Sequence, residues 1–174
     1  MPREFKPKPA KPGSGLIGAA AEHYVMYRLL QMGMVAALAP VGAPIADIVV
    51  SDPDLRRIVS VQVKARRKLG SGGWVMKEKH EALVQPLLFY CFVQIPDVPT
   101  EAAKCWVVPS EVVADIVRVS HANWLKGSTE AKPRKDSGMR SFKPTYGMRH
   151  IGKPSGWLDQ YSEAWSLIKE VATA

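Results

Sequence analysis

Four polar side chains stand in otherwise apolar stretches, and their types are those that bind cations and phosphates. Glu22 lies in an Ala- and Leu-rich segment, Asp47 separates two apolar runs, and Gln62 and Lys64 interrupt a Val-rich run. Burying a polar group without a partner costs roughly 2–7 kcal/mol, so each of the four needs one. A divalent metal ion beside a polyanion would provide partners for all of them.

The Val-rich run at residues 57–66 predicts a β-strand, because its side chains alternate between two faces. One face holds only Val and Ala, as a core would, whereas the other becomes polar at Gln62 and Lys64. Residues 45–51 predict a neighbouring strand. If the two strands form a hairpin around the turn at residues 52–54, Asp47 lies beside Gln62 and Lys64.

Residues 16–32 have a composition that favours a helix, and Gly33 is placed to end it. The neighbours of Glu22 on that helix are small or apolar: Gly18, Ala19, Val25 and Met26. This pattern predicts that the carboxylate points towards the sheet, where it needs a cation or a hydrogen-bond donor.

The rest of the chain predicts an α/β sandwich with a mixed central sheet. A short strand over residues 35–39 follows the first helix. Further strands are expected over residues 74–76, 87–95 and 104–108. A helix begins with Ser110 as its N-cap and runs to about residue 119, and a last helix covers residues 158–172.

Oxygen atoms of these polar residues suit a hard divalent cation. Asp47 would supply a carboxylate oxygen, Gln62 its amide oxygen and Val63 a backbone carbonyl, while Glu22 would bind directly or through water. Lys64 would then face a phosphate, where its ammonium can orient an attacking water and offset developing charge. The expected ion is Mg²⁺, with Mn²⁺ as a possible substitute.

The order Glu22, Asp47 and Gln62-Val63-Lys64 resembles the PD-(D/E)xK nuclease superfamily. Residues 16–110 are similar to its small members, the archaeal Holliday-junction resolvases and restriction-endonuclease-like proteins. The resemblance implies an α/β, restriction-endonuclease-like fold with an α-β-β-β-α-β core. It also implies that Asp47 and Gln62 are metal ligands, Lys64 the catalytic lysine and Glu22 an additional helix carboxylate.

Two positions depart from the superfamily pattern. Ala46 precedes Asp47 where proline is common, and Gln62 stands where an acid is usual. The amide oxygen of Gln62 still coordinates, but one negative charge is lost, so metal affinity should fall.

Each polar residue also has a purely structural interpretation. Asp47 at the entry to a strand could be a turn or capping residue. Gln62 and Lys64 could form the exposed face of an edge strand, where Lys discourages further pairing. Glu22 could pair with a nearby Arg. The joint occurrence in this order and spacing favours a site.

Positive charge is concentrated in two segments of the chain. The net charge is +8, of which residues 1–12 carry +3 and residues 126–153 carry +6, so the remainder is nearly neutral. Such arms suit a phosphate backbone, although a solvated surface would have the same composition. The residues expected to contact nucleic acid are Arg66, Arg67, Lys68, Lys132, Arg134, Lys135, Arg140 and Lys143, with Trp74 stacking on a base.

Composition divides the chain into four parts: a disordered basic arm over residues 1–15, a nuclease-like core over 16–125, a basic flexible loop over 126–155 and a C-terminal helix over 156–174 packing on the core. No apolar run approaches the ~20 residues needed to span a bilayer. Cys91 and Cys105 lie in apolar runs and are expected to be buried free thiols, typical of a reducing cytoplasm.

Together these features predict a metal-dependent endonuclease that acts on DNA, duplex or branched, with a homodimer plausible and no membrane partner. Two alternatives remain. The chain could bind nucleic acid through the same fold with a weakened or inactive site, or it could be an accessory or assembly protein whose basic loop binds a partner.

Overall fold

The computed structural model of the protein describes residues 13–68 and 72–174. The predicted arm over residues 1–15 therefore lies almost wholly outside the described residues, as do residues 69–71 of the Gly-rich loop. The helices are α1 (Ser14–Gln31), α2 (Ser110–Lys126), α3 (Met148–Ile151) and α4 (Ser166–Thr173). The strands are β1 (Val35–Leu38), β2 (Ile48–Ser51), β3 (Ile58–Arg67), β4 (Trp74–Lys77), β5 (Leu88–Ile95), β6 (Lys104–Pro109) and β7 (Met139–Phe142).

Five strands form the central sheet, in the order β1-β2-β3-β5-β6. The pairs β1–β2, β2–β3 and β5–β6 are antiparallel, and β3–β5 is parallel. The expected mixed sheet is therefore confirmed. Strands β4 and β7 form a separate antiparallel pair.

The turn between β2 and β3 is closed by a single carboxylate. Asp52, 1% exposed, accepts hydrogen bonds from the backbone N–H of Arg56 at 2.9 Å and from its guanidinium Nε at 2.7 Å. The turn sets the register in which Ile48 pairs with Val61. The predicted hairpin is confirmed, and with it the position of Asp47 next to β3.

The sheet has a hydrophobic core on each face. Helices α1 and α4 pack on one face, where α1 buries the stripe Ala21, Val25 and Leu29 against β-strand residues that include Val61. Helix α2 and the β4–β7 pair pack on the other face, against Tyr90 and its neighbours. Alternation along β3 places Gln62 and Lys64 on this second face.

Two segments differ from the expected elements. The connection from β3 to its parallel partner β5 contains the expected strand β4 and a 3₁₀ turn, Glu78–Glu81, and its described residues include no α-helix, which the superfamily core implies between the later strands. Residues 126–155, expected as a flexible loop, contain β7 and α3. Strand β7 has no clear signal in the sequence because it is four residues long and gains its partner, β4, only through tertiary pairing.

The C-terminal helix is shorter than expected. A 3₁₀ turn, Asp159–Tyr161, precedes α4, and Glu163 between them has a φ of 52° that interrupts the helix. Its carboxylate accepts hydrogen bonds from the backbone N–H of Cys105, the indole of Trp165 and the guanidinium of Arg28. These hydrogen bonds hold the broken segment against the sheet.

Helix α2 begins differently from the prediction. Ser110 is its first residue, and its hydroxyl bonds the backbone N–H and carbonyl of Gln85 instead of capping the helix. Both cysteines are buried free thiols, as expected. Within the described ranges, no helix has the length and apolar character needed to cross a membrane.

We expect Asp52→Asn to lower the urea midpoint of unfolding at neutral pH, because the hydrogen bonds from Arg56 hold the pKa of Asp52 below its ordinary 3.8. A carboxylate with a depressed pKa stabilises the fold above that ordinary value and loses this contribution as pH falls through the folded pKa. The gap between variant and wild type should therefore close under acid conditions. The exposed Asp54→Asn should change the midpoint little at either pH; an equal loss there would contradict the role of Asp52.

Candidate functional site

Asp47 is fixed against β3 by a hydrogen bond between its side chain and the strand backbone. The amide N–H of Val63 donates to Asp47 Oδ2 at 2.7 Å, and the backbone N–H of Asp47 donates to the carbonyl of Val61 at 2.9 Å. Because Ile48 pairs with Val61, Asp47 stands one residue earlier, level with Gln62. Among the described residues Oδ2 is engaged with the strand, and Oδ1 accepts no hydrogen bond.

Lys64 lies two residues further along the same face of β3. Burial lowers the pKa of its ammonium, the charge of Asp47 opposes that change, and Lys79 and Lys77 add to the lowering. An ammonium held partly out of water beside a carboxylate can both stabilise an anion and exchange a proton with water. The interpretation of Lys64 as an exposed edge residue is wrong, because β3 is a central strand with β2 and β5 on either side.

Glu22 is half-buried at the margin of the apolar stripe of α1, not within it as the sequence pattern predicts. The buried residues of α1 are Ala21, Val25 and Leu29, whereas Ala19 is exposed. The helix also covers the sheet face opposite to Gln62 and Lys64. The charge of Asp47 nevertheless acts on Glu22: burial first and that charge second raise the pKa of Glu22. In the described ranges no Arg or Lys forms an ion pair with Glu22.

The amide oxygen of Gln62 is buried without a hydrogen-bond partner among the described residues. The same is true of two groups that the sequence does not reveal, the hydroxyl of Tyr90 and Nε2 of His80. Tyr90 pairs with Gln62 across β3 and β5, and the two rings of His80 and Tyr90 meet edge-on at 6.0 Å between centroids. The charged sequence neighbours of His80 predict a surface position, but His80 is 3% exposed. The parallel pairing of β3 with β5 sets Tyr90 across from Gln62, and no local pattern in the sequence indicates either residue.

The chemistry of this donor set fits a hard divalent cation. Two neighbouring carboxylates repel one another until a cation lies between them, and an unpartnered amide oxygen is a further hard ligand. The described residues contain no cluster of three or more His, Cys, Asp or Glu side chains that could hold a metal. A metal here would therefore depend on Gln62, a backbone carbonyl and water in addition to Asp47 and Glu22.

Three cations follow the site along β3, and each already has a protein contact. Arg66 lies over the ring of Trp74, with its guanidinium carbon 4.2 Å from the centroid, and donates to the side chain of Gln94 at 2.6 Å. Arg67 pairs with Asp97 at 3.2 Å, and Lys68 pairs with Glu101 at 2.7 Å.

Trp74 is not available to stack on a base, which corrects the prediction from its position beside the Gly-rich loop. It is 1% exposed, packs among the aromatic residues of the second core and donates its indole N–H to the carbonyl of Val93 at 3.1 Å. Alternation along β4 turns Trp74 and Met76 inwards, because the other face of this short strand is exposed.

A cationic cleft of about 830 Å³ lies beside α2, β7 and α3, on the same side of the sheet as Gln62 and Lys64. Its lining includes Arg134, Lys143, Arg149, His121, His150 and Trp124, and no carboxylate lines it among the described residues. Lys132 and Lys135 are exposed nearby in sequence. Trp124 is 44% exposed.

Arg140 is a second correction to the predicted nucleic-acid contacts. It is 7% exposed, and its guanidinium bonds the carboxylates of Glu81 and Asp136 and the carbonyl of Ser137. Arg140 lies opposite Met76 in the β4–β7 pair, so strand alternation turns it inwards. Its charge is satisfied within the protein and serves the fold.

No protein-family model matches the sequence, and none of the curated proteins does. Solved structures do match the fold. The bacterial homing endonuclease I-Ssp6803I is similar over 94% of this chain and 96% of its own, with 17% identity and a TM-score of 0.54. The chain has the restriction-endonuclease-like fold. This agrees with the resemblance to PD-(D/E)xK nucleases found in the sequence.

A second similar structure is Hjc, a Holliday junction resolvase from Archaeoglobus fulgidus. It matches 72% of this chain and 83% of its own, with 14% identity and a TM-score of 0.41. At 17% identity the likeness to I-Ssp6803I establishes the fold and not the chemistry. The chemistry depends on the residues of the site itself.

We predict that Mg²⁺ or Mn²⁺ raises the unfolding free energy of the wild type, by about 2.7 kcal/mol when the free ion is at 100 times its Kd. Asp47→Asn should abolish this gain, because Asn can still accept the bond from Val63 but loses the charge. Glu22→Gln should reduce the gain without destabilising the metal-free protein, since ionised Glu22 is disfavoured in the fold. Urea titrations with and without metal measure both effects.

Asp115→Asn is the matched control, because this carboxylate is exposed and pairs with Arg118 at 2.7 Å. It should keep the full metal-dependent gain. A wild type that gains nothing from either ion, or an Asp47→Asn protein that gains as much as wild type, would rule out this metal site.

Proposed function

We propose that the protein is a divalent-metal-dependent endonuclease that hydrolyses phosphodiester bonds of DNA. The observation that carries the proposal is the meeting of Asp47 with Gln62 and Lys64 on a restriction-endonuclease-like fold. Asp47 bonds the backbone of β3 between those two residues, and its charge acts on Lys64 on one side and Glu22 on the other.

Four groups would hold the metal: the carboxylates of Asp47 and Glu22, the amide oxygen of Gln62 and the backbone carbonyl of Val63. Mg²⁺, or Mn²⁺ in its place, would supply Lewis-acid stabilisation of the charge that develops on the phosphate and lower the pKa of its bound water. Asp47 is the best-positioned ligand, because its hydrogen bond to Val63 fixes its rotamer before any ion binds.

Lys64 would contact the reacting phosphate and the water that attacks it. Its partly desolvated ammonium interacts more strongly with an anion than an exposed lysine does, because fewer water molecules screen it. Its lowered pKa also reduces the cost of passing a proton to or from water at Nζ. In both roles the neighbouring Asp47 keeps the ammonium within the site.

Gln62 stands where the superfamily usually has an acid. This difference decides whether the proposed enzyme is fully active or weakened. The amide carries no charge, so the site should bind metal less tightly than one with a third carboxylate. This is the one observation that favours the alternative, a nucleic-acid-binding protein of the same fold with reduced cleavage.

We further propose that DNA crosses the cationic cleft on its way to the site. Lys143 and Arg149 line the cleft, form no ion pair among the described residues and lie on the sheet side that carries Lys64. Lys132, Lys135 and Arg134 would add backbone contacts at its rim, and Arg66, Arg67 and Lys68 would add them beside β3. Cutting both strands of a duplex needs two sites, so we propose a homodimer acting in the cytoplasm.

We expect Asp47→Asn and Lys64→Met each to reduce metal-dependent cleavage of DNA by about 100-fold or more, because each removes a charge aimed at the transition state. Gln62→Glu should raise metal affinity and cleavage at low metal concentration by restoring the missing charge. Plasmid, linear and branched DNA, each with Mg²⁺ or Mn²⁺, reveal the activity and the preferred substrate.

Lys169→Met is the control for the lysine variant, since Lys169 is exposed on α4 at the opposite face of the sheet. Wild-type cleavage by both Asp47→Asn and Lys64→Met would rule out the proposed site. DNA binding without cleavage in wild type, with cleavage appearing in Gln62→Glu, would establish the weakened-site alternative. A protein partner of residues 126–155 with no DNA affinity would establish the accessory alternative.

The proposed role of the cleft leads to a separate prediction about DNA binding. Lys143→Ala with Arg149→Ala should weaken binding of metal-free protein to DNA and reduce the slope of log K against log salt concentration by about 2, because two phosphates are no longer neutralised. Fluorescence anisotropy across a salt series measures both quantities. Lys104→Ala with Lys169→Ala removes the same charge elsewhere; an equal change in that variant would show that net charge, not the cleft, governs binding.

A further inference from the structure

The hydroxyl of Tyr90 and Nε2 of His80 are buried polar atoms without a hydrogen-bond partner among the described residues. Such atoms are rare in folded proteins, because each lowers stability unless something in the functional state compensates. Tyr90 is the residue directly across from Gln62, whose amide oxygen is in the same condition, and the ring of His80 meets that of Tyr90 edge-on. Three unpartnered atoms in one place indicate a shared role.

Tyr90 does not need its hydroxyl to pack. It is fully buried, and its ring stacks on Phe92 at 5.9 Å between centroids, while Phe92 stacks in turn on Phe142 at 3.9 Å. Phe92 occupies the next position on the same face of β5 and fills the core without a hydroxyl. The polar atom of Tyr90 is therefore an addition that packing alone does not explain.

His80 is oriented by its own backbone turn. Its Nδ1 lies 2.9 Å from both the N–H and the carbonyl of Lys77, which fixes the ring and leaves Nε2 unpartnered. The nearby ammonium of Lys64 lowers the pKa of His80 in addition to the effect of burial. Nδ1 accepts from the N–H in one tautomer and donates to the carbonyl in the other, so Nε2 offers a buried water either a hydrogen or a lone pair.

Polar and charged groups that could share a hydrogen-bond network with Tyr90 and His80 are present around them. Gln62 lies directly across from Tyr90 in the parallel pair, and the charge of Asp47 acts on Tyr90. Lys64 acts on His80. A buried water generally needs two to four polar partners, and Tyr90, His80, Gln62 and Lys64 provide that number.

We propose that Tyr90 and His80 are positioning residues of the cleavage site: with Gln62 and Lys64 they surround a buried water that fixes the rotamers of the metal ligand and the catalytic lysine. This inference rests on the proposed nuclease function. Residues that hydrogen-bond to a metal ligand commonly change activity by about 10–100-fold when they are mutated, although they do not contact the substrate themselves. Neither residue belongs to the PD-(D/E)xK pattern.

Tyr90→Phe tests the hydroxyl alone, because the aromatic stack is retained. We expect an unchanged or higher urea midpoint, unchanged affinity for DNA and a cleavage rate lower by about 10–100-fold at saturating metal. A purely structural tyrosine would leave the cleavage rate unaltered. Wild-type cleavage by Tyr90→Phe would overturn the role of this residue.

Two substitutions of His80 test its two ring nitrogens separately. Asn can replace Nδ1 in its contact with Lys77 but has nothing at the position of Nε2, whereas Gln reaches the position of Nε2. We expect His80→Asn to remain folded and to cleave about 10–100-fold more slowly, and His80→Gln to recover a substantial part of the rate. Equal activity in the two variants would exclude a role for Nε2.

A readout that needs no cleavage separates this inference from the proposed function. In ¹⁵N NMR spectra of the metal-free protein, the Nε2 resonance of His80 should move in Tyr90→Phe and in Lys64→Met. A resonance that moves in neither variant would overturn the shared network. If the wild type cuts no DNA but the resonance responds, the network stands and the nuclease function fails.

Discussion

The hydrogen bond between the Val63 amide and the Asp47 carboxylate determines the rest of the site. It joins the residue before β2 to the middle of β3 and thereby completes the register that the Asp52 turn begins. Side chains alternate along a strand, so a slip of one residue would carry Gln62 and Lys64 to the α1 face and bury them among apolar residues. The hydrogen bond that fixes Asp47 therefore also fixes the fold around it.

The members of the site come from both faces of the sheet. Glu22 belongs to the helix on one side, Gln62 and Lys64 face the other side, and the charge of Asp47, at the entrance to β2, acts on both Glu22 and Lys64. Polar atoms of Gln62, Tyr90 and His80 are buried there without a partner among the described residues, a condition that lowers stability unless a water or ligand bonds them. Proteins commonly accept such a cost where a ligand or a reaction requires polar groups held in place.

Positive charge in this chain is found in two settings that composition alone cannot separate. Arg140 is neutralised by Glu81 and Asp136 inside the β4–β7 region and holds that region together. Lys143 and Arg149, a few residues later, line an open cleft that has no carboxylate among its described lining residues. The distinction follows from strand alternation: β7 turns Arg140 inwards, whereas the segment after it is free of that constraint.

The sequence by itself determined the first helix, the β2–β3 hairpin, the apolar face of β3 and the placing of Gln62 and Lys64 on one side, because these follow from local periodicity and turn residues. It could not determine the parallel pairing of β3 with β5, which sets Tyr90 across from Gln62. Nor could it determine the pairing of β4 with β7, which buries Trp74 and Arg140, or the break at Glu163. Those outcomes depend on interactions between segments far apart in the chain, and no local pattern encodes which distant strand will be the neighbour.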